Sequence, residues 1–227
     1  MMRVQKGGLM RICKLAEIFV FVMVAGFAQA VDQPTVTFLH RSAVEELAYS
    51  YKGSQRLEGT ILGQLGWIEA QTELSPSGVF FYKIVREGGS SRVRQRGLKP
   101  FLEAERNQSP KLSAFTTENY EINSFGTDGD LLLLKIHPKR KATNLIEGFL
   151  FVRSDGDLVR VEGQLSKSPS PWMWGEKFFR YYGRVSGVRM PVKMVSTAII
   201  LFNPSTLVVE YRYDEVNGRQ VQQIKHQ

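Results

Sequence analysis

Between Gly59 and Asp214 the chain repeats one pattern: a long stretch with apolar residues at about every second position, then a short break of Gly, Asp, Ser or Pro. Alternation of that kind belongs to β-strands, and breaks of that composition join antiparallel neighbours. The extended segments read as Gly59 to Leu74, Val79 to Arg86, Tyr120 to Phe125, Leu131 to His137, Glu147 to Arg153, Leu158 to Leu165, Trp174 to Val185, Val188 to Phe202 and Leu207 to Asp214. Turns are placed at Ser75-Pro76-Ser77-Gly78, Thr127-Asp128-Gly129, Asp155-Gly156, Ser186-Gly187 and Asn203-Pro204-Ser205, with Asp155-Gly156 of the kind that type I′ hairpins favour. Long strands in regular succession tend to curl. The expected fold class is therefore α+β and mainly β: a strongly curved antiparallel sheet, an unclosed β-barrel, covered by one to three helices.

Two stretches read as helix. From Pro34 to Ser50, Val36, Leu39, Ala43 and Leu47 fall near one face, with Gly53 as the stop. Pro100 to Asn107 opens on a proline that suits a first helical turn.

The first thirty residues point to export. Arg3, Lys6, Arg11 and Lys14 precede an apolar run from Ile18 to Ala28, and Ala28-Gln29-Ala30 offers a small-x-small exit. That is the layout of a secretory signal peptide, with cleavage expected near Ala30-Val31, a single domain over 31–219 and a polar tail over 220–227. Cys13, the one cysteine, lies on the side that would be removed. The mature chain would have neither disulfide nor lipid anchor, and its expected location is the periplasm. Of 30 basic and 22 acidic residues the signal takes four and one, leaving a net charge of about +5, too little to argue for nucleic acid.

The residues that carry chemistry are sparse. His40, His137 and His226 share no metal-ligand spacing, and no thiol can complete a site. Asp128, Asp130, Asp155 and Asp157 sit in Asp-Gly-Asp turns, where hairpins already call for them. No acid, base or nucleophile set emerges, and the expectation is a protein that is not an enzyme and needs no cofactor. Strands apolar on both faces are the more informative feature: Phe149 and Phe151 alternate with Leu150 and Val152. An antiparallel sheet normally needs only one dry face, so the pattern implies either packing on both faces or an interior that takes an apolar ligand. Trp67, Phe81, Phe149, Phe151, Trp174, Phe178 and Met194 are the candidate lining of such an interior. Arg92, Arg94 and Arg96 resemble one face of a solvated strand, and Lys139-Arg140-Lys141 a hairpin tip. Both clusters are also candidate contacts for an anionic surface.

Between Leu131 and Tyr213 the chain resembles a known group. The residues that carry the likeness are Leu131 to Lys141 (an apolar strand ending in Pro-Lys-Arg-Lys), Glu147 to Val152, Leu158-Val-Arg-Val-Glu-Gly163, Ser168-Pro-Ser-Pro-Trp172 and Tyr182-Gly-Arg-Val-Ser-Gly-Val-Arg-Met-Pro191. These are similar to segments of the LolA-like outer-membrane lipoprotein-sorting superfamily, which includes LolB and the regulator RseB. The resemblance implies a half-barrel lidded by helices over an apolar cavity. It implies a non-catalytic, monomeric periplasmic carrier of lipoprotein acyl chains or other lipid. An interaction module that binds an envelope membrane-protein partner is the alternative.

Overall fold

The computed structural model describes residues 32–106, 114–168 and 173–222, all within the unit Val31–Gln227. The expected signal segment, the end of the Ser166–Pro171 connection and most of the polar tail lie outside the described residues.

Helix α1, Gln33–Val44, starts where the sequence predicts. Asp32 caps it by accepting from the Thr35 backbone N–H at 2.9 Å, and Pro34 occupies the first turn. The second Asp32 oxygen accepts from Ser124 N–H at 2.9 Å, which ties the helix start to a strand. Burial alone would raise the Asp32 pKa, but the hydrogen bonds from Thr35 and Ser124 hold it below the usual value. Asp32→Ala should cost about 1–2 kcal/mol by urea denaturation, more than an ordinary cap because two anchors go at once. In wild type that contribution is complete above the ordinary Asp pKa and lost as pH falls through the lowered one. A loss below about 0.5 kcal/mol would mean that the Ser124 tie carries no load.

The helix ends at Val44, six residues before the predicted Ser50, although Glu45-Glu46-Leu47-Ala48 would readily continue a helix. Glu45 is extended, and its carboxylate is held by Arg184 Nη1 at 2.6 Å and Arg189 Nη2 at 3.1 Å. Tertiary ion contacts override local propensity here. The chain then enters β1, Tyr51–Ile61, so Gly53 is a strand residue and not a helix stop. A side chain at Gly53 would overlap the Arg212 carbonyl at a bulge, which is why glycine stands there.

The remaining strands are β2 Gln64–Leu74, β3 Phe80–Gly89, β4 Tyr120–Asp128, β5 Leu131–Pro138, β6 Ile146–Val152, β7 Leu158–Leu165, β8 Met173–Val185, β9 Val188–Ile200, β10 Asn203–Val216 and the short β11 Arg219–Gln220. They form one antiparallel sheet in the order β3-β2-β1-β10-β9-β8-β7-β6-β5-β4, with β11 beside β10. β3 and β4 are the two edges, so the sheet is not closed into a barrel, as the sequence leads one to expect.

Three turns differ from expectation. The single segment Gly59–Leu74 is two strands, split by Leu62 and Gly63, both in the left-handed region (φ 52° and 71°). Leu201 and Phe202, not Asn203-Pro204-Ser205, reverse the chain between β9 and β10 (φ 48° and 67°). At Asp155-Gly156 only Gly156 has positive φ (82°), and Gly156 N–H donates to Arg153 O. That is a type I turn with a glycine bulge, so the expected type I′ does not form.

The described segment Ser91–Arg106, between the edge strands β3 and β4, runs over the inner face, and this crossing supplies the helical cover. The main core lies between it and the sheet: Val93, Leu98 and Leu102 from the crossing and Phe38 from α1 pack on Leu57, Ile68, Ala70, Leu134, Ile136, Leu150, Val161, Phe178 and Met194.

Candidate functional site

The crossing begins with α2, Ser91–Val93, passes through a π-helical turn at Arg94–Leu98 and continues as α3, Lys99–Arg106. Pro100 explains the π turn. Proline has no N–H and its ring crowds the preceding turn's carbonyl, so a helix running through it must widen or kink. The Lys99 N–H bonds instead to Arg94 O. The buried positions are 93, 98 and 102, a step of five and then of four. A five-residue step is off the α-helical period, which hides the part of this helix before Pro100 in the sequence, while α3 falls where Pro100 to Asn107 is expected to be helical.

Arg92, Arg94 and Arg96 consequently sit on a helix rather than alternating along a strand. Arg94 and Lys99 approach Glu87 at 3.9 and 3.4 Å, while Arg92 and Arg96 are exposed. Lys139, Arg140 and Lys141 occupy the exposed β5–β6 loop.

The cover rests on a pair of facing glycines. Gly59 of β1 is opposite Gly66 of β2. A Cβ on Gly59 would lie 3.0 Å from Leu98 Cδ2, and one on Gly66 2.9 Å from Val93 Cβ. Glycine at both positions lets the helix lie flat on the strands.

Beyond the glycine pair the underside turns polar. Glu105 of α3 accepts from Gln55 Nε2 at 3.0 Å and from the Tyr211 hydroxyl at 3.2 Å. Arg180 of β8 lies close enough to favour the Glu105 charge. It approaches Met194 Sδ at 3.8 Å and stacks on the Phe178 ring at 4.9 Å. Its Nε has no hydrogen-bond acceptor among the described residues. Burial pushes the Glu105 carboxyl above its usual pKa despite the Gln55, Arg180 and Tyr211 contacts, and burial next to Glu105 raises the Tyr51 and Tyr211 hydroxyls as well. Tyr82 of β3 hydrogen-bonds Glu103, a second tie from sheet to cover. This latch of Gln55, Glu105, Arg180 and Tyr211 was not singled out in the sequence, because its members are spread over 156 positions and share no motif.

The structure divides the sequence-derived lining residues between two faces. Phe178 and Met194 belong to the core under the cover. Trp67 points outward, between Ile68 and Gly66 of the inner face, and stacks under Arg56 at 5.0 Å in a ladder where Glu69 pairs with Arg56 and Arg86 at 2.6 Å each. Phe81 is exposed, with inward Phe80 and Tyr82 on either side. Phe149 packs on Phe125 at 5.0 Å and Phe151 under Arg160 at 3.9 Å, while Leu150 takes the core. Trp174 stands at the strand ends beside Phe202, ring centroids 5.3 Å apart. Two depressions of about 280 and 360 Å³ open beside Phe81 and Tyr82. Glu103 and Arg106 ring one, and Lys52, Glu73, Lys83 and Asp214 ring the other.

No family model and no curated protein matches the chain. Solved structures similar to it include these three. A DUF1329 family protein from Desulfovibrio piger superposes with a TM-score of 0.47 at 15% identity, over 81% of this chain and 94% of that one. A LolA superfamily protein from Nitrosomonas europaea gives a TM-score of 0.41 at 10% identity, over 82% and 94%. An outer membrane lipoprotein-sorting protein domain from Vibrio parahaemolyticus gives 0.38 at 11%, over 82% and 93%.

Proposed function

We propose that the domain is a non-catalytic carrier in the periplasm, and that it takes an acyl chain between the sheet and its helical cover. The observation behind this reading is the cover itself, one helical piece seated on glycines and tied down by a polar latch. Displacing it would expose Val93, Leu98 and Leu102, at about 1.5–3 kcal/mol each, roughly 5–9 kcal/mol in all. An acyl chain of about sixteen carbons in their place would contribute roughly 12 kcal/mol, at about 0.8 kcal/mol per methylene. The latch hydrogen bonds, at about 1 kcal/mol each, reduce the difference further. Capture and release are then both within reach of modest changes, as a carrier requires. Arg180 keeps an unused donor that a carboxylate or an ester carbonyl at the head of the chain would accept from. The lining this reading assigns is Leu57, Ile68, Tyr182, Phe178, Met194 and Leu207.

Uptake of a fluorescent fatty acid tests it. Gly66→Val pushes against Val93 and the Ser90 carbonyl, so it should loosen the cover and raise uptake severalfold. Because burial raises the Glu105 pKa, the docked cover favours the neutral carboxyl. Docking is strongest below the ordinary Glu pKa and weakens as pH rises through the raised one. Wild-type uptake should therefore grow with pH, and Glu105→Gln should flatten the profile. No uptake by wild type or by either variant would overturn the carrier reading.

A further inference from the structure

We infer that the joined ends of β8, β9 and β10 form a membrane-seating tip for an anionic phospholipid bilayer. The register isolates this tip. β1 pairs with β10 only as far as Thr60–Thr206, and β8 parts from β7 beyond Phe178. Among the described residues, 173–177, 197–200 and 203–205 therefore run on together with no further strand paired to either outer flank. At about 3.3 Å per residue they project roughly 10–16 Å past their neighbours.

The turn at the end of this projection is built from the wrong residues for its shape. Leu201 and Phe202 both lie in the left-handed region, the conformation that Asn-Gly adopts with least strain. A bulky residue there is a backbone outlier, normally kept only where something else compensates. Core burial does not compensate here: Phe202 is 87% exposed, Leu201 47%, Trp174 40% and Ile199 38%. No other large apolar side chain among the described residues is as exposed as Phe202. The four make one apolar cap, with the Trp174 and Phe202 rings edge to face.

The charges around the cap match an anionic surface. From Ser196 to Thr206 there is no ionisable side chain. Glu176, on the shaft, accepts from Ser196 Oγ at 3.5 Å, and burial pushes its carboxyl toward the neutral form. Lys177 is exposed behind the cap, opposite Thr197. The exposed Lys139 and Lys141 of the β5–β6 loop and Lys167 after β7 lie at the same end of the sheet. An aromatic and aliphatic cap with lysines set behind it is the arrangement that enters the headgroup boundary and draws on anionic lipid, each basic residue adding about 1 kcal/mol near the surface. This tip is at the strand ends and involves no residue of the latch, so the inference stands whether or not an acyl chain is carried.

The test uses the unit Val31–Gln227 and the double variant Leu201→Asn with Phe202→Gly. That pair suits a type I′ turn, so the variant should be at least as stable as wild type to heat and urea. Wild type should float with vesicles of phosphatidylethanolamine and phosphatidylglycerol, much less with phosphatidylcholine alone, and brominated acyl chains should quench its tryptophan emission. The variant should bind the anionic vesicles at least about tenfold more weakly and lose the quenching. Equal binding by the two proteins, or no binding by wild type, would overturn the proposal. So would an unchanged vesicle affinity together with a wild-type dimer that the variant breaks, because the cap would then be an interface between copies.

Discussion

Gly163→Val should be among the most damaging single changes in the domain, lowering stability by on the order of 3–5 kcal/mol. Gly163 of β7 is opposite Gly148 of β6, and the two backbones approach more closely than side chains allow. A Cβ on Gly163 would overlap the Glu147 carbonyl oxygen and crowd Ile146, and one on Gly148 would overlap the Glu162 carbonyl. Those atoms belong to the ladder itself, so relief requires strand separation rather than a rotamer change. Valine is otherwise a good strand residue, and sheet propensity alone would predict no loss. For a domain of this size the shift in Tm should be about 6–20 °C, read by circular dichroism. Gly148→Val should behave alike, and the double variant should cost less than the sum, since the first change already parts the strands. A shift under about 2 °C for either single variant would show that the close approach can relax. The Val-Arg-Val-Glu-Gly segment is explained by the same contact: its last residue is where two strands need the space of a side chain.

Glu45→Ala should cost about 3 kcal/mol, which is large for one surface-proximal carboxylate. The Glu45 side chain is only 1% exposed and neutralises two guanidinium groups, those of Arg184 and Arg189. Arg184 keeps Asp157 at 2.7 Å as a second partner. Arg189, with 14% of its side chain exposed, would be left with a shielded positive charge. That stranded charge makes removal of one partner more costly than the pair was worth. Urea denaturation should show a lower midpoint with an unchanged slope. Arg189→Met in the Glu45→Ala background should recover part of the loss, because it removes the stranded charge. Failure of that rescue would argue that Glu45 acts through the helix end rather than through Arg189.

The legible part of this fold is the part set by local chemistry. The periodicity of Val36, Leu39 and Ala43 after Pro34 announces the first helix, and most strand segments announce themselves by alternation. Elements decided by distant partners were not legible. The end of α1 depends on arginines about 140 residues away, and the five-residue step hides the first half of the cover, whereas its second half is announced by Pro100. The turn at Leu62-Gly63 offers only one glycine as a signal. At Leu201-Phe202 the neighbouring Asn-Pro-Ser drew the break two residues too far. The site suffered most, since its facing is a matter of parity. Where both faces of β6 are apolar, composition cannot say whether Leu150 or Phe149 and Phe151 turn inward, and the core took the aliphatic set. The Glu105 latch needed the fold before its members could be seen as neighbours.

The junction of β1 with β10 has a consequence for how the chain matures. Partners such as Tyr51 and Val216 are separated by most of the domain, so the first hairpin strands leave a channel or ribosome long before their neighbour exists. The segment from β4 to β10 is a local meander that can zip in order, each strand meeting its predecessor. The strands β1 to β3 meanwhile wait with one long edge unpaired, the situation in which strands recruit foreign partners. The seam between the two ends of the sequence is therefore the step at which a newly made molecule is most open to aggregation. A helper that shields an exposed strand edge would act during that interval.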